Sequence, residues 1–334
     1  MTSRQTWHAI GAMTSIAAAA LLPVVSGDYY TSCGTEIAIM VLMLSSYRLI
    51  VLTGEWSFAH VVLQGVGAYT AAIAVKDFDW PFPLTIAAGA AMAALMATIL
   101  SFPLLRMKGF YFLMGSFAAA EAIRLLWRKI PFFGGTRGLS NIPAPYLDLG
   151  GLTIDFGHPA NFFHLSLAVV VCCLFLMWRM ERARIGHIWR AIQQQDILAQ
   201  SVGIESRTYR RLAFVIAAAF AGIAGVLLAY AFGTVTPNRF GLNFALYLMI
   251  WSIVGGTRTF YGVVLGGVVL MIFDESLRFA EELRPGVYGL ILIGVMLFCP
   301  QGLERLLQSM ARVLPGTRSD ESGERGTLSR PGKS

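Results

Sequence analysis

Charge is what this sequence has least of. Charged side chains make up 13% of it and hydrophobic ones 56%, against a charged share of about 25% in ordinary soluble domains. That scarcity, with apolar runs repeated from end to end, excludes a soluble enzyme; several runs approach or exceed the ~20 residues that span a bilayer as a helix. Acidic residues are the scarcer sign, 19 against 26 basic, leaving a net charge of +7. The basic residues gather at one set of run ends, where they orient a membrane protein, and no patch is left for nucleic acid. Cysteine is also sparse. Cys33, Cys172, Cys173 and Cys299 show no metal-ligand spacing, and three lie in or beside apolar runs, so they read as small core residues with no disulfide framework.

Chemistry-bearing motifs are missing too. There is no phosphate-binding loop, no nucleophile elbow and no zinc-protease helix. Ser57 and Ser140 have no base partner in sequence, and His60, at the start of an apolar run, has no second ligand at metal spacing and reads as an interface residue. Within the runs, Glu121 and Arg124 share a helix face with Arg128 one turn further, which reads as a shallow structural ion pair, or else as part of an outer gate. No chain of Asp, Glu or His lies deep enough for an ion or proton relay. The chain therefore has no catalytic equipment, no metal and no cofactor of its own.

What is present is a series of ten apolar runs, at about 9–25, 36–52, 59–75, 84–103, 109–127, 161–178, 212–232, 243–255, 261–275 and 286–300. The expected fold is an all-α integral membrane protein, a polytopic bundle of about ten transmembrane helices over residues 1–315. The first run follows an n-region holding only Arg4 and reads as a retained span rather than a cleaved signal. The eighth and ninth are short and admit a broken or re-entrant helix. Residues 316–334, rich in Gly, Ser and charge without periodicity, read as a disordered cytoplasmic tail.

Orientation comes from the segment Arg179 to Arg211, which carries seven arginines against Glu181, Asp196 and Glu205. Arginines at span ends resist translocation, so this island is placed in the cytoplasm. With the island counted, seventeen basic residues then lie inside against seven outside, with both termini inside. The island's middle, Arg190 to Val202, has no Gly or Pro and reads as a short helix at the cytoplasmic mouth. Across the membrane, 128–160 is a long Gly-, Pro- and Asn-rich segment expected to form an ordered cap. Small residues recur at helix spacing, Ala218 with Gly222, Ala221 with Gly225 and Gly262 with Gly266, which reads first as close helix packing and second as a conduit. Phe58–Gly65 weakly echoes Phe260–Gly267, as internal repeats of transporters do.

A family becomes visible in four ordered stretches. The run Thr53-Gly54-Glu55-Trp56-Ser57-Phe58-Ala59-His60, continuing through Gly65, Gly67 and Tyr69, resembles the early signature of LivM-type permeases of branched-chain amino acid ABC importers. Gly134-Gly135-Thr136-Arg137-Gly138-Leu139 is similar to a second signature. Arg190-Ala191-Ile192 through Gly203-Ile204 and on to Ala221–Gly225 resembles a third, and Gly255-Gly256-Thr257-Arg258-Thr259-Phe260-Tyr261-Gly262 a fourth. The resemblance spans roughly residues 36–305.

The resemblance implies a permease subunit in the bacterial inner membrane, paired with a second, LivH-like permease. Two cytoplasmic ATPases, which would bind ATP and Mg, dock below it, a periplasmic solute-binding protein delivers substrate above, and lipid surrounds it. It makes the island the coupling helix, with Arg190, Ala191, Gln195, Asp196, Ala199, Gln200 and Gly203 toward the ATPase. It gives Gly54, Ser57, His60, Gly65, Gly67, Tyr69, Gly135, Thr136, Gly138, Gly255, Gly256 and Gly262 to the translocation path or its gates. A bulky charged residue at Ala199 or Gly203 is expected to uncouple ATP hydrolysis from uptake. There are departures: Gln193-Gln194-Gln195-Asp196 and Gln200 replace a more charged pattern, Arg258 and Val263 stand where Gly and Pro are usual, and Phe133 replaces a common Thr. Related permeases serve urea, short amides and other small organic solutes, which leaves the substrate open. An ion-coupled carrier is the rival from another class.

Overall fold

A computed structural model describes residues 27–148, 153–256 and 259–276, together with 286, 287, 289, 290 and 293. The expected first span, most of the tenth, and the tail 316–334 lie outside the described residues. The helices are α1 (Asp28–Val51), α2 (Ala59–Phe78), α3 (Phe82–Leu104), α4 (Phe110–Lys129), α5 (Pro159–Arg182), α6 (Arg184–Gln194), α7 (Asp196–Ser201), α8 (Ser206–Phe232), α9 (Leu242–Gly255) and α10 (Phe260–Ser276). Four short strands sit among the loops: β1 (Leu139–Ser140), β2 (Tyr146–Asp148), β3 (Thr153–Asp155) and β4 (Thr234–Val235). β1 pairs antiparallel with β4, and β2 with β3.

Among the described residues five helices, α1, α3, α4, α5 and α8, are long and apolar enough to cross a membrane. α2 has the length, at 20 residues, but His60 and Gln64 make it less apolar. It tolerates them because nearly its whole surface is covered by other helices. α9, at 14 residues, rises only about 21 Å, short of a ~30 Å hydrocarbon layer. The protein is thus an all-α, multi-pass bundle with several membrane-spanning helices.

Two layers follow from where the bulk of each helix points. α8 is the hub and packs on α3, α2 and α1. Of the apolar window, 78% is buried in α1 and 72% in α8, against 28% in α3, 28% in α4 and 33% in α5. α3 explains the difference. Its buried stripe after Phe82 is Thr85, Gly89, Ala93, Ala97, Ser101 and Leu104, small at every fourth position but the last. Leu84, Leu95, Ile99 and Phe102 point outward. In a soluble helix the large residues would be inside. With lipid as solvent, backbone approach along a small-residue stripe drives packing, and bulk is left for the acyl chains.

The tightest crossing lies between α2 and α8. A Cβ on Gly67 would collide with the carbonyl of Gly222, and one on Gly222 would meet the Gly89 carbonyl and the Ala93 methyl of α3. The small-residue spacing at Ala218, Gly222, Ala221 and Gly225 is therefore a packing seam among α2, α3 and α8. Gly266 of α10 lies in the same kind of contact against Gly255 of α9. The echo between Phe58–Gly65 and Phe260–Gly267 has a counterpart: α2 starts at Ala59 and α10 at Phe260.

Candidate functional site

The arginine island is two helices rather than one. The chain leaves α5 through Ala183 in extended conformation, forms α6, breaks at Gln195 (φ −154°, ψ 101°) and restarts as α7. The expected helix over 190–202 thus begins earlier and is interrupted in its middle. Nothing local forces this break; contacts from elsewhere do. Trp189 is fully buried and its indole N–H donates to the Tyr209 carbonyl at 3.0 Å. Gln193 Nε2 donates to the Val51 carbonyl at 3.0 Å, with Gly54 (φ 83°) packed against it. Asp196 then starts α7, its carboxylate in the favourable first turn.

Charges fasten this segment to the bundle. Asp196 accepts from Lys108 Nζ at 2.7 Å and from Gln200 Nε2 at 3.1 Å, and pairs with Arg210 at 3.5 Å. Arg210 also pairs with Glu55 at 3.3 Å, tying α8 to the loop before α2. Burial alone would raise the Asp196 carboxyl, but hydrogen bonds from Lys108, Ser206 and Gln200 and the charge of Arg210 outweigh it and bring it down to about 2. Glu55 is held above its ordinary range by burial, which Arg210 only partly offsets. Beneath these, Glu181 pairs with Arg48, both almost fully buried, and Arg190 reaches the Glu181 carbonyl at 3.3 Å and its carboxylate at 3.5 Å.

The residues assigned to ATPase coupling therefore separate. Arg190 and Asp196 are turned toward the chain itself, Ala199 is buried and Ala191 is half-buried, while Gln195, Gln200 and Gly203 are exposed. Next to them Ile197, Leu198 and Val202 stand 85%, 62% and 72% exposed, an apolar knob that the sequence reading did not single out.

The residues assigned to the path fall in several separate places. Gly54 belongs to the clamp around Gln193 and Gly67 to the α2–α8 seam, and Gly255 packs on Gly266 of α10 with Gly256 (φ 89°) following it. The Gly262 N–H donates to Thr259 Oγ1 at 3.1 Å in the first turn of α10. Midway along α2, Tyr69 meets Trp127 at 4.6 Å, Phe133 at 5.6 Å and Phe240 at 6.5 Å between ring centroids, and Gly65 leaves room for the Trp127 ring. Gly138 (φ 72°) lets the outer loop lie against the Val235 carbonyl, where a Cβ would collide, and β1 pairs with β4 beside it. Gly135 (φ 61°) and the exposed Thr136 form the preceding turn. Lys76 Nζ donates to the Ser140 carbonyl at 3.0 Å. Through Phe133 and Ser140 the segment after α4 is thus fastened to the C-terminal half of α2.

His60 differs from expectation. It is fully buried, not at an interface, with Nε2 at 2.8 Å from Ser46 Oγ and its ring 5.5 Å from Tyr47. Ser57 is buried nearby, and the Phe58 N–H donates to Ser116 Oγ at 2.9 Å, which seats this loop on α4. Glu121 and Arg124 form a local pair within α4, with Arg124 Nε donating to Glu121 Oε2 at 2.8 Å. Among the described residues no cluster of His, Cys, Asp or Glu could hold a metal.

Sequence reasoning missed Arg48, Glu55, Glu36 and Arg239. Arg48 had a signal, an arginine inside an apolar run, which is costly unless paired.

A multi-pass helical bundle, with a charged two-helix segment clamped on one end and an aromatic cap on the other, defines a membrane transport subunit. The chain belongs to the family of branched-chain amino acid transport system permease components, whose profile matches residues 30–299. It is 28% identical over 290 residues to the high-affinity branched-chain amino acid transport system permease protein LivM of Escherichia coli (strain K12), covering 81% of this chain and 68% of that one. It is 28% identical over 178 residues to LivH of the same strain, over 50% of this chain and 57% of that one. Its similarity extends to the D-allose transport system permease protein AlsC of that strain, 25% over 185 residues, covering 51% and 55%. No solved structure matches. As a permease component, the chain is a membrane subunit rather than an ATP-hydrolysing one.

Proposed function

We propose that this chain is the LivM-type permease of an ATP-driven importer of branched-chain amino acids in a bacterial inner membrane. It works beside a second, LivH-like permease, over two cytoplasmic ATPases and beneath a periplasmic binding protein. About ten spans, with both termini and the segment 179–211 inside, complete the arrangement. Its relatives LivM and LivH support the substrate class.

The observation that carries the reading is the island. A segment that must transmit force needs a rigid attachment on one side and a free surface on the other. Asp196, Arg210, Glu55 and Glu181 with its two arginines supply the attachment to α1, α5, α8 and the loops before α2 and α4. Ile197, Leu198 and Val202 supply the surface, together with Gln195 and Gln200. An ATPase groove that closes on this knob on binding ATP would move the inner ends of those helices together, opening the path outward and then inward. The glutamine run fits a contact made by apolar surface and neutral hydrogen bonds instead of ion pairs.

The test replaces Ile197 and Val202 with Asp in the complex reconstituted in vesicles. Both positions are exposed, so folding is unaffected, and uptake of radiolabelled leucine falls by at least about tenfold, as for truncation of an interface anchor. Undiminished uptake would refute the assignment. Ala199 is a poorer probe, because a bulky charge there breaks the packing of α7 before it reaches any partner. Gly203 has open space around it, but its φ of 86° strains any replacement.

A further inference from the structure

On the face of α3 opposite its small residues, Leu95, Ile99 and Phe102 are exposed. Their spacing puts them on one stripe, the side that a lipid-facing helix gives to acyl chains. α8 runs antiparallel beside it: Thr85 meets Tyr230, Gly89 faces Val226, Gly222 faces Ala93, and Phe102 meets Arg211. The stripe therefore ends at the first turns of α8. There the Arg211 guanidinium lies over the Phe102 ring, 4.7 Å from its centroid. The same register brings Arg207, one turn earlier in α8, to the level of Arg106, just past the end of α3. Both are exposed.

These three arginines are not spent on the fold. Among the described residues none of them has a carboxylate within ion-pair distance, because the nearby acids are taken. Glu55 pairs with Arg210, and Asp196 with Lys108 and Arg210, so those four groups balance, two against two. Glu205, the residue before α8, is exposed and pairs with none of the three. Three cations against that one acid leave a surplus of two positive charges at the end of an apolar stripe. Arg211 Nε is itself buried and finds no acceptor among the described residues. Arg239 makes the contrast: it too lies over a ring, that of Phe232, but it is paired with Glu36.

We infer that this corner of α3 and α8 binds one anionic phospholipid. The phosphate sits among Arg106, Arg207 and Arg211, and an acyl chain runs along Ile99 and Leu95. Guanidinium forks match phosphate oxygens two at a time. The ring beneath Arg211 fixes the plane of its guanidinium and leaves the N–H edge free. Basic pockets between membrane helices hold acidic headgroups in this way. A soluble phosphate compound would use the cations and leave the stripe uncovered. A zwitterionic lipid would bring a cation of its own to a cationic corner. An anionic lipid matches both halves of the site, and since Phe102 and Ile99 belong to the membrane-facing stripe, the occupant comes from the bilayer. The inference needs the chain to be a membrane protein and is independent of what it carries.

The full-length chain in a neutral detergent is titrated with short-chain phosphatidylglycerol and with phosphatidylcholine of the same chains, and native mass spectrometry counts the lipid bound. Phosphatidylglycerol binds at least about tenfold more tightly, the scale of one charged hydrogen bond. Arg207→Gln with Arg211→Gln removes that preference. Arg207→Gln alone, at an exposed position, lowers it severalfold and carries the test if the double variant does not fold. Arg179→Gln with Arg184→Gln removes two exposed cations elsewhere at the same end of the bundle and leaves the preference intact. Equal loss in the two double variants would overturn the site, because a diffuse positive field explains it. Displacement of the lipid by glycerol phosphate at equal concentration would overturn it too, since phosphate alone is then recognised. If the Arg207 and Arg211 variant keeps its lipid preference but no longer assembles with its ATPase, the patch serves a protein partner and the lipid site falls.

Discussion

The Arg48–Glu181 pair offers the most direct test of how the charged clamp is held. Both side chains are almost fully excluded from solvent, at 1% and 5% exposure. Each sits in the last turn of its helix, α1 for Arg48 and α5 for Glu181. The negative end of the helix dipole favours the arginine there and disfavours the glutamate, so Glu181 depends on the guanidinium. Glu181→Ala leaves the Arg48 charge buried and uncompensated, at a cost of about 3–5 kcal/mol. Arg190 adds little to that figure, since its side chain is 40% exposed and solvent screens it; pairs of that kind contribute about 0–1 kcal/mol. Arg48→Leu has a cost of the same order for the opposite reason. The double change to leucine removes both charges and fills the space with carbon, which is commonly neutral or stabilising. Thermal unfolding of the protein in nanodiscs reads the outcome. Each single variant drops by on the order of 10 °C, and the double variant returns to within a few degrees of the starting protein. Additive losses in the double variant would refute the pair as the source of the cost, as would single variants that melt like the unaltered protein.

The bundle was legible because its signals are local. Apolar runs bounded by Gly, Pro and charge give α2 from Ala59, α8 ending at Phe232 before the left-handed Gly233, and α9 and α10 to within a residue or so. α1 begins eight residues before the run at 36–52, because Thr31 and Thr35 read as polar in sequence but bond to backbone carbonyls one turn back within the helix. The break at Gln195 was not legible, since Lys108 and Val51, which hold its two sides, are distant positions that no spacing rule links to the island. The charge pairs share this character. Arg48 announces that a partner must exist, yet nothing in the sequence selects Glu181, which is 133 positions away. His60 was misplaced because its burial depends on the loop before it being seated on Ser116. Glycines of the family motifs could be recognised, but their separate duties at the clamp, the seam and the cap appear only once the helices are packed. Conformational change needs attachments of different strength, and the fold supplies them: backbone contact at Gly67 and Gly222, charge at Asp196, and rings around Tyr69.

Two further predictions probe the first two of these attachments. Gly67→Leu pushes α2 away from the α8 backbone, where no side chain can rotate aside, so the loss exceeds the ~1–3 kcal/mol of ordinary overpacking; folded yield in detergent checks it, and a normal yield would mean the seam is loose. Asp196→Asn removes the charge that holds α7 to Lys108 and Arg210, and faster hydrogen exchange over residues 184–201 reports its release. The pH dependence follows from the same group: its carboxyl lies at about 2 in the fold against an ordinary 3.8. A depressed carboxyl stabilises fully above its unfolded value, here on the order of 2 kcal/mol, and loses that contribution as pH falls through the folded one. Exchange protection of the island is therefore flat from pH 8 to 5 as far as Asp196 is concerned and falls between about pH 4 and 2. Asp196→Asn abolishes that acid transition, and an island released between pH 7 and 5 in the unaltered protein would show that another group holds it.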